Sequence, residues 1–162
     1  MMQAEGRRAS LRGLSIAVLA IGTLFTAAAS AGECPADKRG ANLTQPVAHA
    51  AKGVTDTVLT SIDLAKATSI QGTDRQFRLR RLVIEPGGIV PWHSHGDRPA
   101  IIYIVQGEVI EFASTCAVGI VHKAGESTAE LRDTAHWWQN TSSQQVILLS
   151  ADLLHDAHDK NM

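Results

Sequence analysis

No stretch of this chain keeps a helical period. Short apolar runs recur at near-even spacing instead, with glycine, proline or polar residues between them. Such runs lie at 55–64, 77–84, 89–95, 100–106, 108–114, 118–122, 130–131, 136–140 and 144–154. Several alternate strictly, as in Phe77-Arg78-Leu79-Arg80, which is the period of a strand with one face inward. Pro86-Gly87-Gly88 predicts a turn, Gly107 a hairpin, and 65–74 a short turn or helix. Short strands joined by glycine-rich turns predict an all-β sandwich or barrel. With 162 residues there is room for one domain and not for two. Charged residues at 19% and hydrophobic ones at 44% exclude a disordered chain or a fibre. A net charge of −1 offers no basic face to nucleic acid.

The first 31 residues read as an address. Arg7, Arg8 and Arg12 precede an uncharged apolar run at 14–29, and Ala29-Ser30-Ala31 is a small-x-small cleavage site. This predicts a secretory signal peptide at 1–31, cut after Ala31, and a periplasmic or secreted protein. The apolar run is shorter than the ~20 residues that span a bilayer, so no membrane span is expected in the mature form. Ser10 stands where a twin-arginine signal prefers an aromatic, and Glu33 precedes Cys34 where a lipoprotein signal has a small residue. Cleavage removes three of the 15 basic residues and one of the 16 acidic ones, which takes the charge from −1 to −3. An irregular lead-in at 32–54 and a barrel at 55–162 then make up the mature chain.

Cys34 and Cys116 are an even pair in an exported chain, which predicts a disulfide. A thiol copper site is the competing reading, with no third sulfur ligand at useful spacing.

His93-Ser94-His95 lies on a predicted strand, where alternation puts both imidazoles on one face. His136 opens another strand. Three imidazoles brought together inside a barrel would make a metal site. Around these residues the chain resembles the cupin family. Gly87, His93, His95 and Gly107 fall at the spacing of the first cupin motif. Gly125, His136 and Asn140 fall at the spacing of the second, with Leu131 and Asp133 in place of its central proline and glycine. The resemblance covers about 77–152 and implies a single-domain jelly-roll barrel of six to eight strands. It departs at Ala100, which occupies the position of the family's glutamate ligand.

The resemblance implies one divalent transition metal on His93, His95 and His136, with no carboxylate ligand. Neutral imidazoles suit Fe, Cu, Ni or Zn better than Mg or Ca. A metal-free barrel that has lost its ion is the plainer reading. Counting by two along the strands turns Trp138 and Asn140 to the metal side and Trp137 away. Ala100, Ile102 and Ile104 then share the inner face of their strand. A pocket of Trp138, Ile102, Ile104 and the gap at Ala100 suits a flat or aromatic ligand. Plain core filling would use the same residues. Ile101, Tyr103 and Val105 are apolar on the opposite face, so the lead-in or a second copy is expected to cover them. Single-domain cupins commonly dimerise, so the resemblance implies a homodimer.

Asp97 and Arg98 read as an exposed turn pair. Arg78, Arg80 and Arg81 are split over two faces. His155 and His158, interleaved with Asp156 and Asp159, make a second metal site or a solvated tail. His49 and His122 have no motif context, and no side chain stands out as a general base. The expected function is a metal-dependent, dioxygenase-like oxidoreductase of a small molecule. The alternatives are a non-catalytic binder of a metal or small ligand and a metal-assisted lyase or isomerase.

Overall fold

The computed structural model describes residues 32–44, 47, 50–67, 74–132 and 134–155. The signal segment, His49, Asp133, Asp156, His158 and Asp159 lie outside them. The described residues form eight strands: β1 (Lys52–Asp63), β2 (Gln76–Ser94), β3 (Ala100–Gln106), β4 (Glu108–Ala113), β5 (Ile120–Lys123), β6 (Ser127–Glu130), β7 (Ala135–Gln139) and β8 (Val146–Leu154). The helical pieces among the described residues are two 3-10 turns, Ala36–Lys38 and Leu64–Lys66. The strands run in the order β5-β4-β7-β2-β8-β3-β6, with β1 on β2, and all the pairings are antiparallel. This is the jelly-roll barrel expected from the sequence.

The expected turn at Pro86-Gly87-Gly88 is instead a bend within the single 19-residue strand β2. Gly87 takes φ 72°, which favours glycine, and a Cβ on Gly88 would come within 2.7 Å of the Glu85 carbonyl oxygen. Pairing holds the bend extended. Gln76–Ile84 pairs with β8, and Ile89–Ser94 pairs with β7. One strand therefore belongs to both faces of the barrel, and its far half sets His93 opposite His136.

Between the faces lies a core that includes Leu82, Ile84, Val90, Ile102, Ile104, Val109, Val146 and Leu148. Burying each such side chain contributes about 1.5–3 kcal/mol. β3 alternates as its sequence predicts: Ala100, Ile102 and Ile104 are buried, while Ile101, Tyr103 and Val105 stay 60%, 45% and 46% exposed. No described part of the lead-in covers that outer face.

The lead-in lies along β4 and β5 instead. Gly32 N–H donates to the Val121 carbonyl (3.0 Å), Gly40 N–H to that of Thr115 (3.1 Å) and Leu43 N–H to that of Ser114 (2.8 Å). The Cys34–Cys116 disulfide fixes it there, with Cα atoms 5.8 Å apart. Among the described residues no helix is long and apolar enough to cross a membrane.

Candidate metal centre

His93 is the last residue but one of β2, His95 lies one residue beyond the strand, and His136 sits on β7 directly opposite His93. All three are buried. Their Nε2 atoms converge: that of His136 is 3.0 Å from His95 Nε2 and 3.0 Å from His93 Nε2.

These contacts are not hydrogen bonds, because every Nδ1 is committed as a donor to an oxygen that only accepts. His93 Nδ1–H donates to the Pro91 carbonyl (2.9 Å) and His95 Nδ1–H to the Arg98 carbonyl (3.0 Å). His136 Nδ1–H donates to Glu111 Oε1 (2.6 Å). In the neutral rings all three Nε2 atoms are then bare lone pairs facing one another. Burial, followed by the charge of neighbouring His136, pushes His93 down to about 2 and His95 to about 4, so neither ring relieves the clash by protonation near neutral pH. Lone pairs held this close fit a cation between them, and three imidazole nitrogens suit a transition ion. The three histidines form a group that can hold a metal.

Behind His136 stands a second layer that the sequence reading left out. Glu111 accepts from His136 through Oε1 and from His122 Nε2–H through Oε2 (2.8 Å). Burial alone would raise its pKa, but these two hydrogen bonds outweigh burial and hold it below the usual carboxylate value. Glu130 is buried nearby, with Oε2 3.7 Å from His136 Nδ1. Burial and then the charge on Glu111 raise its pKa to about 7. Glu111 was legible: counting by two from the core residue Val109 puts it inward on β4, two residues before Ala113. His122, given no role from sequence, is fully buried and stacks on Trp138, with ring centroids 4.8 Å apart.

A cavity of about 30 Å³ adjoins the three histidines. Trp138 and Ile102 line it together with Leu82, Val90, Leu148, Ser150 and Arg80. Ile104 is packed in the core and is not part of this lining. Ala100, packed in the core with Ile102 and Ile104, is not part of this lining either; it also borders an outer apolar groove with Phe77, Ile101, Leu131 and Leu153. The space holds one or two water-sized groups at ~10–15 Å³ each, which is too little for the flat aromatic ligand the sequence suggested. The indole N–H of Trp138 points at the His136 ring in an edge-on arrangement, with centroids 5.6 Å apart. Asn140 braces the β7–β8 turn, donating to the Ile84 (3.0 Å) and Gln144 (2.7 Å) carbonyls.

Two further sequence expectations change. Arg98 is not an exposed turn residue: it is 1% exposed and donates to Asp152 Oδ2 (3.0 Å). Asp97 is exposed, but it pairs with Arg75 (3.2 Å) and His155 (3.1 Å) rather than with Arg98. Arg78 and Arg80 converge on the same Asp152 carboxylate, at 2.7 and 3.1 Å.

Fold and site together define a small jelly-roll barrel with an internal histidine group able to hold a metal ion. Residues 80–152 match the family model described as a cupin domain, and this stretch carries the cupin fold. No curated protein matches the chain. Among solved structures it is similar to an uncharacterized conserved protein with a double-stranded β-helix domain from Klebsiella pneumoniae (14% identity, TM-score 0.52, 71% of this chain and 86% of that one). It is also similar to a predicted oxalate decarboxylase from Thermotoga maritima (24%, 0.50, 62% and 80%). An oxalate oxidase in complex with the substrate analogue glycolate is a third (21%, 0.50, 75% and 58%). At these identities the likeness shows the fold.

Proposed function

We propose that this protein is an exported, metal-dependent oxidoreductase of dioxygenase type acting on a small molecule. His93, His95 and His136 hold one divalent ion: Fe, Cu, Ni or Zn. The observation that carries the reading is the convergence of three Nε2 atoms, with that of His136 3.0 Å from those of both His93 and His95. A bound redox-active ion supplies electrons for oxygen chemistry and a Lewis acid for a chelating substrate. The chain's own residues do the rest. Glu111 fixes the His136 tautomer, so that Nε2 faces the cavity. Leu82, Val90, Ile102, Leu148 and Trp138 keep bulk water from it. With Ala100 at the position of the family's glutamate ligand, none of the three ligands is itself anionic, and an anionic substrate is favoured. The disulfide suits an oxidising compartment. A second copy of the chain covers the outer face of β3.

Elemental analysis of protein purified from its exported compartment tests the reading. About one equivalent of transition metal is expected, lost in His93→Ala and His136→Ala. Protein without metal, or variants with unchanged metal content, would overturn it. Oxygen uptake with small organic acids separates an oxidoreductase from a binding module, and anaerobic turnover would instead mark a lyase or isomerase.

A further inference from the structure

Two of the three histidines sit in paired strands, and the third does not. His93 and His136 face each other across β2 and β7, whereas His95 stands past the end of β2, in the loop that leads to β3. Strand register does not set its ring, so the loop must. That loop is closed on itself. Arg98 N–H donates to the His95 carbonyl, and the Arg98 carbonyl lies 3.0 Å from His95 Nδ1. Gly96 takes φ 42°, the left-handed conformation that lets the chain turn back so soon. The His95 ring and residues 95–98 therefore form one unit, tied at its start by His95 N–H to the Thr134 carbonyl (3.0 Å).

The end of the unit is held by a side chain. Arg98 is 1% exposed, and its Nη1 donates to Asp152 Oδ2 (3.0 Å). Asp152 is a firm anchor. It lies on β8 between β2 and β3, as register partner of Arg78 and of Ala100. It is buried, and its two carboxylate oxygens also accept from Arg78 at 2.9 and 2.7 Å. By contrast, the pair that Asp97 of the same loop makes with Arg75 is exposed, where an ion pair holds little. Buried charge-assisted hydrogen bonds fix direction better. Arg98 thus meets the His95 ring with its carbonyl and the barrel with its guanidinium.

We propose that Arg98 and Asp152 are a positioning pair, which aims His95 Nε2 at the point where the His93 and His136 Nε2 atoms converge. The consequence for metal binding rests on the metal reading, whereas the placing of the ring stands without it. Asp152 keeps Arg78 and Arg80 when Arg98 is replaced, so no bare carboxylate is left buried and the barrel stays folded.

The test titrates Co(II) into full-length mature protein, up to the millimolar range, and follows the visible absorption of the cobalt. Arg98→Met is expected to lower Co(II) affinity about tenfold. Arg98→Lys still offers Asp152 a charge and is expected to stay within about threefold of wild type. Arg78→Met takes an arginine outside the loop from the same carboxylate and is also expected to stay within about threefold. His95→Ala has no ring to aim, so adding Arg98→Met to it should change affinity less than about threefold. Wild-type affinity in Arg98→Met would overturn the proposal. So would equal losses in Arg98→Met and either Arg98→Lys or Arg78→Met, or a further tenfold loss on top of His95→Ala. Should wild type bind no Co(II), the metal reading falls. The placing of the ring is then decided by carbon-proton NMR of the histidine rings in the metal-free protein. The His95 ring signal, assigned by its loss in His95→Ala, should shift or split in Arg98→Met and not in Arg78→Met. An unmoved signal overturns the proposal.

Discussion

Glu111 Oε1 lies 2.6 Å from His136 Nδ1, and this contact decides which nitrogen of the ring faces the cavity. The carboxylate only accepts here, so Nδ1 carries the proton and Nε2 the lone pair. The other Glu111 oxygen is taken by His122, which leaves the side chain little freedom. A glutamine at 111 keeps the shape but has one accepting oxygen for two donors, and loses the charge.

Glu111→Gln is therefore expected to lower transition-metal affinity about 10- to 100-fold. Competition with a chromophoric chelator measures it, with circular dichroism confirming the fold. An unchanged affinity would show that His136 needs no carboxylate behind it.

The buried ionisable groups give the metal-free protein two opposed pH dependences. His93 and His95, at about 2 and about 4 when folded, lie below the ordinary 6.5. Their contribution to stability is full above about pH 6.5 and is lost as the pH falls from there toward 4, because the unfolded chain takes up protons first. Glu130 is raised from 4.5 to about 7, so its contribution is full below 4.5 and is lost as the pH rises through 7. Glu130→Gln removes the second dependence. In that variant the urea midpoint should fall between about pH 7.5 and pH 5, and its advantage over wild type should grow from about pH 5 to pH 8. A flat profile in the variant would refute the first assignment, and a constant gap the second.

How far the sequence led differed from element to element. On β3 the alternation of Ala100, Ile102 and Ile104 against Ile101, Tyr103 and Val105 was legible, because one period decides the face. Two spaced motifs placed His93, His95 and His136 as one group, but the register that sets His93 opposite His136 was not legible, because spacing along a strand does not fix which strand it pairs with. The bend at Gly87 was not legible. Pro-Gly-Gly is a turn by local preference, and pairing with β8 before it, β7 after it and β1 on both sides keeps the strand extended. Arg98 was misread for a similar reason: its acceptor, Asp152, is 54 residues away on β8, and nothing in the loop itself signals burial. Glu111 could have been found, because counting from Val109 sends it inward. A charged residue on an inward face is a site signal rather than a break in the pattern.

The Cys34–Cys116 link joins positions 82 residues apart and is what holds the lead-in against β4 and β5. Closing so long a loop constrains the unfolded chain by about 4 kcal/mol in the chain-entropy model. Cys34→Ser with Cys116→Ser should lower the free energy of unfolding by about that amount in a urea titration. The histidine centre lies on other strands, so metal affinity should change less than about threefold. A large loss of affinity would mean that the lead-in supports the centre directly.

Trp138 offers an intrinsic reporter. Its ring is stacked on His122 and meets the His136 ring edge-on, with centroids 5.6 Å apart, so an ion at His136 Nε2 sits close to the indole. Binding of a paramagnetic ion such as Co(II) should quench a large share of the tryptophan emission. Trp138→Phe should abolish most of that quenching while Trp92 and Trp137 still emit. Quenching that survives Trp138→Phe would place the ion elsewhere.

The outer face of β3 makes the last prediction. Ile101, Tyr103 and Val105 are exposed there, and Phe77, Leu131 and Leu153 line the apolar groove that runs beside Ile101. A contiguous apolar surface of this kind is uncommon on a monomer, and a two-fold partner presenting the same patch would bury it on both copies. Replacing Ile101 by Lys puts a charge at the centre of that contact. Light scattering behind a sizing column should give a dimer for wild type and a monomer for Ile101→Lys, with far-UV circular dichroism unchanged. A wild type that elutes as a monomer at micromolar concentration would show that this face is covered by something other than a second copy.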